Sequence, residues 1–174
     1  MTLQFIPCTY DKHAGAILDI LNEAIANSTA LYDYRPRVPE SIVGWFKAKD
    51  TGGFPVIGAV EDEKLMGFAS YGTFRAWPAY KYSVEHSLYV HRDHRGKGVG
   101  AALLTRLIAA ARERQVHTMI GGIDAANRAS ISLHEKLGFV HAGTIRHAGF
   151  KFGRWLDLAF YQLLLETPAR PVDG

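Results

Sequence analysis

At 174 residues, with 48% apolar and 21% charged residues, the chain has the make-up of a folded domain and not of a disordered segment. Its net charge of +3 is mild; it suits a small polyanionic ligand, and the cations are dispersed without the aromatic interleaving of a nucleic-acid binder. No apolar run reaches the roughly 18 residues that a membrane span needs, so no membrane partner is expected.

The single cysteine, Cys8, cannot close an internal disulfide, which fits a reducing compartment, and it reads as a small buried hydrophobe. The opening MTLQFIPCTYDKH lacks the basic-then-apolar build of a secretory leader, so a cytoplasmic protein is expected. One domain is expected over residues 1–166, followed by a flexible tail, TPARPVDG, at 167–174.

In chain order, residues 3–9 read as a short strand and 11–27 as a helix, with Asp11 as its cap and Ile17, Leu18, Leu21 and Ile25 as its buried stripe. A loop with Tyr32, Tyr34, two arginines and two prolines leads to a second helix from Pro39 to about residue 49. After a turn at 50–53, the runs 54–61 and 64–75 flank Asp62-Glu63 and read as a hairpin. A third strand, 82–90, follows the loop 76–81. The stretch 98–114 repeats apolar residues at Val99, Leu103, Leu104, Leu107, Ile108 and Ala111, the spacing of an amphipathic helix. Then come a buried strand at 117–124, a short helix at 127–137 stopped by Gly138, and two closing strands at 139–150 and 153–166. The helix between the strands 82–90 and 117–124 makes that pair parallel, inside an otherwise antiparallel, mixed α/β sheet.

The join between strand 82–90 and the next helix holds His91-Arg92-Asp93-His94-Arg95-Gly96-Lys97-Gly98-Val99-Gly100. Glycines admit a close ligand and positive φ, and a helix N-terminus turns free N–H groups and positive potential towards an anion, so a phosphate fits there. The alternative at this stage is a solvated basic turn. The spacing matches neither the P-loop nor the dinucleotide fingerprint.

Two segments carry a resemblance. Arg95-x-x-Gly98-x-Gly100, after a strand and opening a helix, resembles the acetyl-CoA pyrophosphate signature of the GCN5-related N-acetyltransferases. Asn127-x-x-Ser130-x-x-x-His134-x-x-Leu137-Gly138-Phe139 resembles that family's second signature. The runs SYGTFR, YSVEHSLYVHRDHRGKGVG, NRASISLHEKLGF and GFKFGRWLDLAFYQ are similar to its phosphinothricin and methionine sulfoximine acetyltransferase branch, across roughly residues 3–165. The resemblance implies the family's fold: a central mixed, mostly antiparallel sheet flanked by helices, with one parallel crossover at the cofactor site. It also implies acetyl-CoA as cosubstrate, a small amino-acid-like amine as acceptor, no metal, and a homodimer. The loop residues Leu31, Tyr32, Asp33, Tyr34, Ala76 and Trp77 leave the exact amine open.

By the same resemblance, the backbone of Leu88, Tyr89 and Val90 pairs with pantetheine, and an N–H there faces the thioester carbonyl. Residues Arg95, Gly96, Lys97, Gly98, Val99 and Gly100 hold the pyrophosphate, and Asn127 and Ser130 the pantetheine end. Acetylating an α-ammonium group needs a base, and Glu85, on a strand otherwise apolar and aromatic, is the first candidate; the alternative is a structural carboxylate. His86 faces away from Glu85 by strand alternation. His134 shares a helix face with Asn127 and Ser130 and is a candidate acid for the leaving thiolate, or only a hydrogen-bonding partner of the cofactor. For the acceptor, Arg75 is the candidate carboxylate clamp, with Tyr32, Ala76, Trp77, Glu85, His86 and Ser87 around the substrate. A peptide N-terminus, a polyamine, and a non-catalytic acetyl-CoA sensor are the competing readings.

Overall fold

A computed structural model of the chain describes residues 3–174. Its elements are β1 (Gln4–Pro7), α1 (Tyr10–Asn27), α2 (Pro39–Gly52), β2 (Val56–Glu61), β3 (Lys64–Thr73), β4 (Ser83–Val90), α3 (Val99–Glu113), β5 (Thr118–Asp124), α4 (Arg128–Lys136), β6 (Val140–Lys151) and β7 (Arg154–Leu164). The strand order is β1-β2-β3-β4-β5-β7-β6. Pairs β1–β2, β2–β3, β5–β7 and β6–β7 are antiparallel and β4–β5 is parallel, which is the mixed α/β arrangement expected.

Contacts divide the chain into two compact units. One holds Met1–Tyr71 and Ser87–Leu107, the other Gly72–His86 and Ile108–Gly174, so that β4 contributes to both.

In the first unit, α1 buries Ile17, Ile20, Leu21, Ala24 and Ile25 along one stripe. Three of these, Ile17, Ile20 and Leu21, pack with Ile42 and Phe46 of α2 and with Val56 and Phe68 of the hairpin. The helix begins one residue before the expected cap: Thr9 is the N-cap, its N–H donates to His13 Nδ1 at 2.9 Å, and Asp11 lies in the first turn. Gly67 is required by a close approach, since a Cβ there would lie 2.7 Å from the Tyr89 carbonyl oxygen.

In the second unit, β4 and β5 pair at Ser83↔Thr118, Val84↔Met119 and Glu85↔Ile120. On its other side β5 pairs with β7 along its whole length, from Thr118↔Leu164 to Asp124↔Leu158. Asp124 is buried and tied on both oxygens. Oδ1 accepts from the Ala126 N–H at 2.9 Å and Oδ2 meets Arg154 at 3.2 Å. The last residues bond back to this unit: the Thr167 hydroxyl donates to the Val116 carbonyl, and the Val172 N–H to the Tyr82 hydroxyl at 3.2 Å.

Candidate active site

The glycine turn lies in the first unit. A 3-10 turn at Arg92–His94 leaves β4, Gly96 and Gly98 follow at φ 74° and 80°, and α3 starts at Val99. The two glycines take a conformation that a side chain disfavours, and they aim the chain so that the N–H groups of Val99, Gly100 and Ala101 lead the helix without intrahelical acceptors. Lys97 is exposed beside them. Arg95 is held from two sides: its Nε donates to the Val90 carbonyl at 3.0 Å and its guanidinium pairs with Glu23. The turn therefore has its shape fixed by Arg95 and an exposed cation in Lys97. Backbone donors, positive helix potential and a flanking lysine together fit a pyrophosphate. Leu88, Tyr89 and Val90 precede the turn as half-buried strand residues, as does Ser87.

A cavity of about 550 Å³ opens beside the turn. Asp19, Glu63, Lys64, His91, Asp93 and Lys97 are among its lining residues, a mixture of charges that selects no anion.

The second unit holds the titratable groups. Alternation along β4 puts Val84 and His86 on the buried side and Glu85 on the other. The neighbouring strand repeats the division with two glycines. A Cβ on Gly121 would lie 2.8 Å from His86 Nε2 and 3.3 Å from His134 Nε2, whereas a Cβ on Gly122 would lie 3.2 Å from Glu85 Oε1. Since successive residues of a strand point to opposite faces, Glu85 occupies one face and the His86–His134 pair the other. Gly121 and Gly122 are close-approach positions that the motif reading missed. Paired glycines in the interior of a buried strand, in HTMIGGID, are the signal of close approach that marks them.

Burial pushes the Glu85 carboxyl above the usual glutamate range, and the Arg75 guanidinium pulls it partly back. Arg75 itself is exposed and lies over the Phe74 ring at 5.5 Å. Ala76 and Trp77 are exposed, with Trp77 leading a 3-10 turn at Pro78–Tyr80. Tyr32 is exposed in the first unit.

Asn127 is the N-cap of α4, its Oδ1 accepting from the Ser130 N–H at 3.1 Å. One turn later, His134 is buried and stacked on His86, with ring centroids 5.0 Å apart and planes 21° from parallel; Phe139 meets both rings edge-on. His134 Nδ1 lies 2.7 Å from the Ser130 carbonyl oxygen, and its Nε2 lies 3.0 Å from His86 Nε2. A carbonyl only accepts, so Nδ1 of His134 carries the hydrogen. In a neutral ring Nε2 is then a lone pair, and His86 supplies the hydrogen between the two Nε2 atoms. The surroundings disfavour the charged form of each ring. Burial, with the adjacent His134, pushes His86 down to about 3, and burial also lowers His134, against a small opposing effect of the Ser130 carbonyl. His86 Nδ1 is left as a buried acceptor without a hydrogen-bond partner, a feature that costs about 1–3 kcal/mol.

Comparison with known proteins gives four findings. The model of the Acetyltransferase (GNAT) family matches residues 17–139. The L-amino acid N-acyltransferase MnaT of Escherichia coli (strain K12) is 42% identical over 157 residues, 90% of this chain and 91% of that protein. The L-methionine sulfoximine/L-methionine sulfone acetyltransferase of Salmonella typhimurium is 41% identical over 172 residues, 98% of each chain. Among solved structures, a GNAT superfamily phosphinothricin acetyltransferase from Sinorhizobium meliloti, in complex with acetyl-CoA, superposes with a TM-score of 0.93 at 34% identity, covering 100% of this chain and 95% of the other.

Proposed function

The chain belongs to the GNAT acetyltransferase family, and from that premise we propose that it acetylates the α-amino group of a small amino acid or of an analogue such as methionine sulfoximine or phosphinothricin. It is an acetyl-CoA-dependent N-acetyltransferase. The choice of acceptor is supported by the relatives, named for acylating L-amino acids and acetylating methionine sulfoximine, and by the charge of Arg75, which draws the Glu85 carboxyl partly back down. An α-amino acid offers the complementary pair, an ammonium for the carboxylate and a carboxylate for the guanidinium. A polyamine has no group for Arg75.

Acetyl-CoA supplies the activated acetyl group. Residues 95–100 grip its pyrophosphate, the backbone of Leu88, Tyr89 and Val90 pairs with its pantetheine arm, and Asn127 and Ser130 receive the pantetheine end. Glu85, with its raised pKa, takes the proton from the acceptor's ammonium. Tyr32, Ala76, Trp77 and Ser87 complete the substrate's surroundings, whereas His86, expected beside them, is buried on the face opposite Glu85. His134 is the candidate donor for the departing thiolate, but its Nδ1 hydrogen is turned to the Ser130 carbonyl and its Nε2 meets His86. The nitrogen that attacks the thioester sheds a second proton, which balances the departing thiolate, so the main catalytic role falls to Glu85.

The reading extends to a cytoplasmic homodimer. Support for the dimer comes from apolar side chains exposed on β6, β7 and their turn: Val140, Ile145, Phe152, Trp155 and Leu164. Light scattering on the purified protein is expected to give twice the 19.3 kDa chain mass.

The function is tested by following free thiol release from acetyl-CoA over a panel of L-amino acids, methionine sulfoximine, phosphinothricin, spermidine and short peptides. Release with free amino acids or the two analogues, and a product acetylated at the α-nitrogen by mass spectrometry, is the expected result. Release with peptides alone would overturn the choice of acceptor, and no release with any amine would favour a sensor.

A further inference from the structure

We propose that Asp124 is a positioning residue for the acetyl-CoA site: its buried carboxylate, anchored on Arg154, sets the turn that presents Asn127. The proposal rests on the acetyltransferase reading, in which Asn127 meets the pantetheine end of the cofactor.

Residues 125–127 join β5 to α4, and their backbone N–H groups are all accounted for within the second unit. The Ala125 N–H donates to the Asp157 carbonyl of β7 at 2.9 Å. The next two return to Asp124: Ala126 donates to the side-chain Oδ1 at 2.9 Å, and Asn127 to the main-chain oxygen at 2.8 Å. The Arg128 N–H then donates to the Ala126 carbonyl at 3.0 Å, closing an inverse γ-turn around Asn127 at φ −83° and ψ 78°. Asn127 is thereby held outside both helix and strand geometry, where α4 begins.

The Asn127 side chain is exposed and has two ends. Its Oδ1 caps α4 by accepting from the Ser130 N–H, which leaves the two hydrogens of the amide nitrogen for an acceptor such as a pantetheine carbonyl. The direction of that nitrogen follows from the backbone at 127, and that backbone is fixed from residue 124.

A serine or an asparagine at 124 could close the turn through one oxygen. A carboxylate adds a second charged oxygen, and here Oδ2 meets the Arg154 guanidinium at 3.2 Å. Asp124 is buried and Arg154 about half exposed, so the charge is withdrawn from water at the turn and answered from the start of β7. Burying a carboxylate for one ion pair gains little stability. What the arrangement secures is a single geometry for the turn.

The test has two arms. Amide hydrogen exchange by NMR on the wild-type protein reads the turn without any ligand. The Ala126 amide is expected to exchange at least about tenfold more slowly than in an open chain, and an unprotected amide would overturn the proposal. The second arm uses calorimetry with coenzyme A and thiol release with methionine sulfoximine as acceptor. Asp124→Ala is expected to weaken coenzyme A binding and raise KM for acetyl-CoA about tenfold, with kcat and KM for the amine within a fewfold of wild type. Asp124→Asn keeps an oxygen for the Ala126 N–H and is expected to lose only about threefold. Adding Asp124→Ala to Asn127→Ala should cost no more than Asn127→Ala alone, since one residue acts through the other. Additive losses, or a lower Tm with unchanged coenzyme A affinity, would overturn the positioning role. A wild-type protein that binds no coenzyme A would overturn the cofactor reading and the proposal with it. Should the alanine variant not fold, Asp124→Asn decides, and wild-type affinity there would overturn the proposal.

Discussion

The turn after β4 and the junction of β4 with β5 handle charge in opposite ways. The turn is exposed, keeps Lys97 in solvent, and uses backbone N–H groups opened by Gly96 and Gly98. The junction has one buried face, where the charged forms of two imidazoles are disfavoured, and one exposed face, where partial desolvation raises the Glu85 carboxyl; the glycines at 121 and 122 yield space to these side chains. The same residue type thus does different things. In the turn its freedom of φ matters, and in the strand its missing Cβ. The difference teaches how the labour divides: a charge already present on a ligand is met by an exposed, preformed cradle, while proton transfer needs a group whose pKa is moved, here the partly desolvated and still solvent-reached Glu85.

The largest effect is expected at the junction. Glu85→Gln removes the base and should lower kcat/KM for the amine by about 10²- to 10⁴-fold in a thiol-release assay; a change of a fewfold would make Glu85 a structural carboxylate and erase the contrast. Next comes the turn. Gly98→Val forces a β-branched residue into φ 80°, a cost of about 1–2 kcal/mol, so acetyl-CoA should bind about five- to thirtyfold more weakly by calorimetry, with kcat at saturation little changed.

His134→Phe should slow thiol release by about tenfold, below the roughly 10²- to 10⁴-fold typical of a full proton donor, because the His134 hydrogen already meets the Ser130 carbonyl. An unchanged rate would leave His134 with a binding role only. The pH profile is subtler. Glu85 must be ionised to act and its pKa is raised, so the acidic limb of kcat/KM should lie above the ordinary glutamate value of about 4.3 and vanish in Glu85→Gln.

The smallest effect is on stability. The folded-state pKa of His86 lies below its unfolded value of about 6.5, so below that pH the unfolded chain binds more protons. The stability of the neutral ring, complete above pH 6.5, is therefore expected to drain away as pH falls towards 3. Thermal melts should show that loss blunted in His86→Gln.

The two regions also differ in how far the sequence discloses them. The turn is contiguous: its glycines, its cations and the apolar period of α3 stand within twenty residues, and the alternation of Glu85 and His86 follows from strand geometry alone. The order of strands and helices is legible for the same reason, since each element carries its own period. The histidine pair is not. His86 and His134 lie 48 residues apart, and nothing local says that their Nε2 atoms meet or that Gly121 makes the room. Nor does the sequence reveal that Glu85 and His134, both drawn to the site by their motifs, stand on opposite faces of β5's neighbourhood, which only the paired glycines register. Arg95 reads as a phosphate ligand in its motif, yet much of its bonding goes to Val90 and Glu23, because the turn's own carbonyl and a distant helix reach it.

The division of labour is tested most directly by titrating acetyl-CoA into Glu85→Gln in a calorimeter. Wild-type affinity in a variant that no longer turns over is the predicted result. A loss of affinity as large as the loss of rate would contradict it, since the carboxylate would then belong to the grip on the cofactor and not to the chemistry.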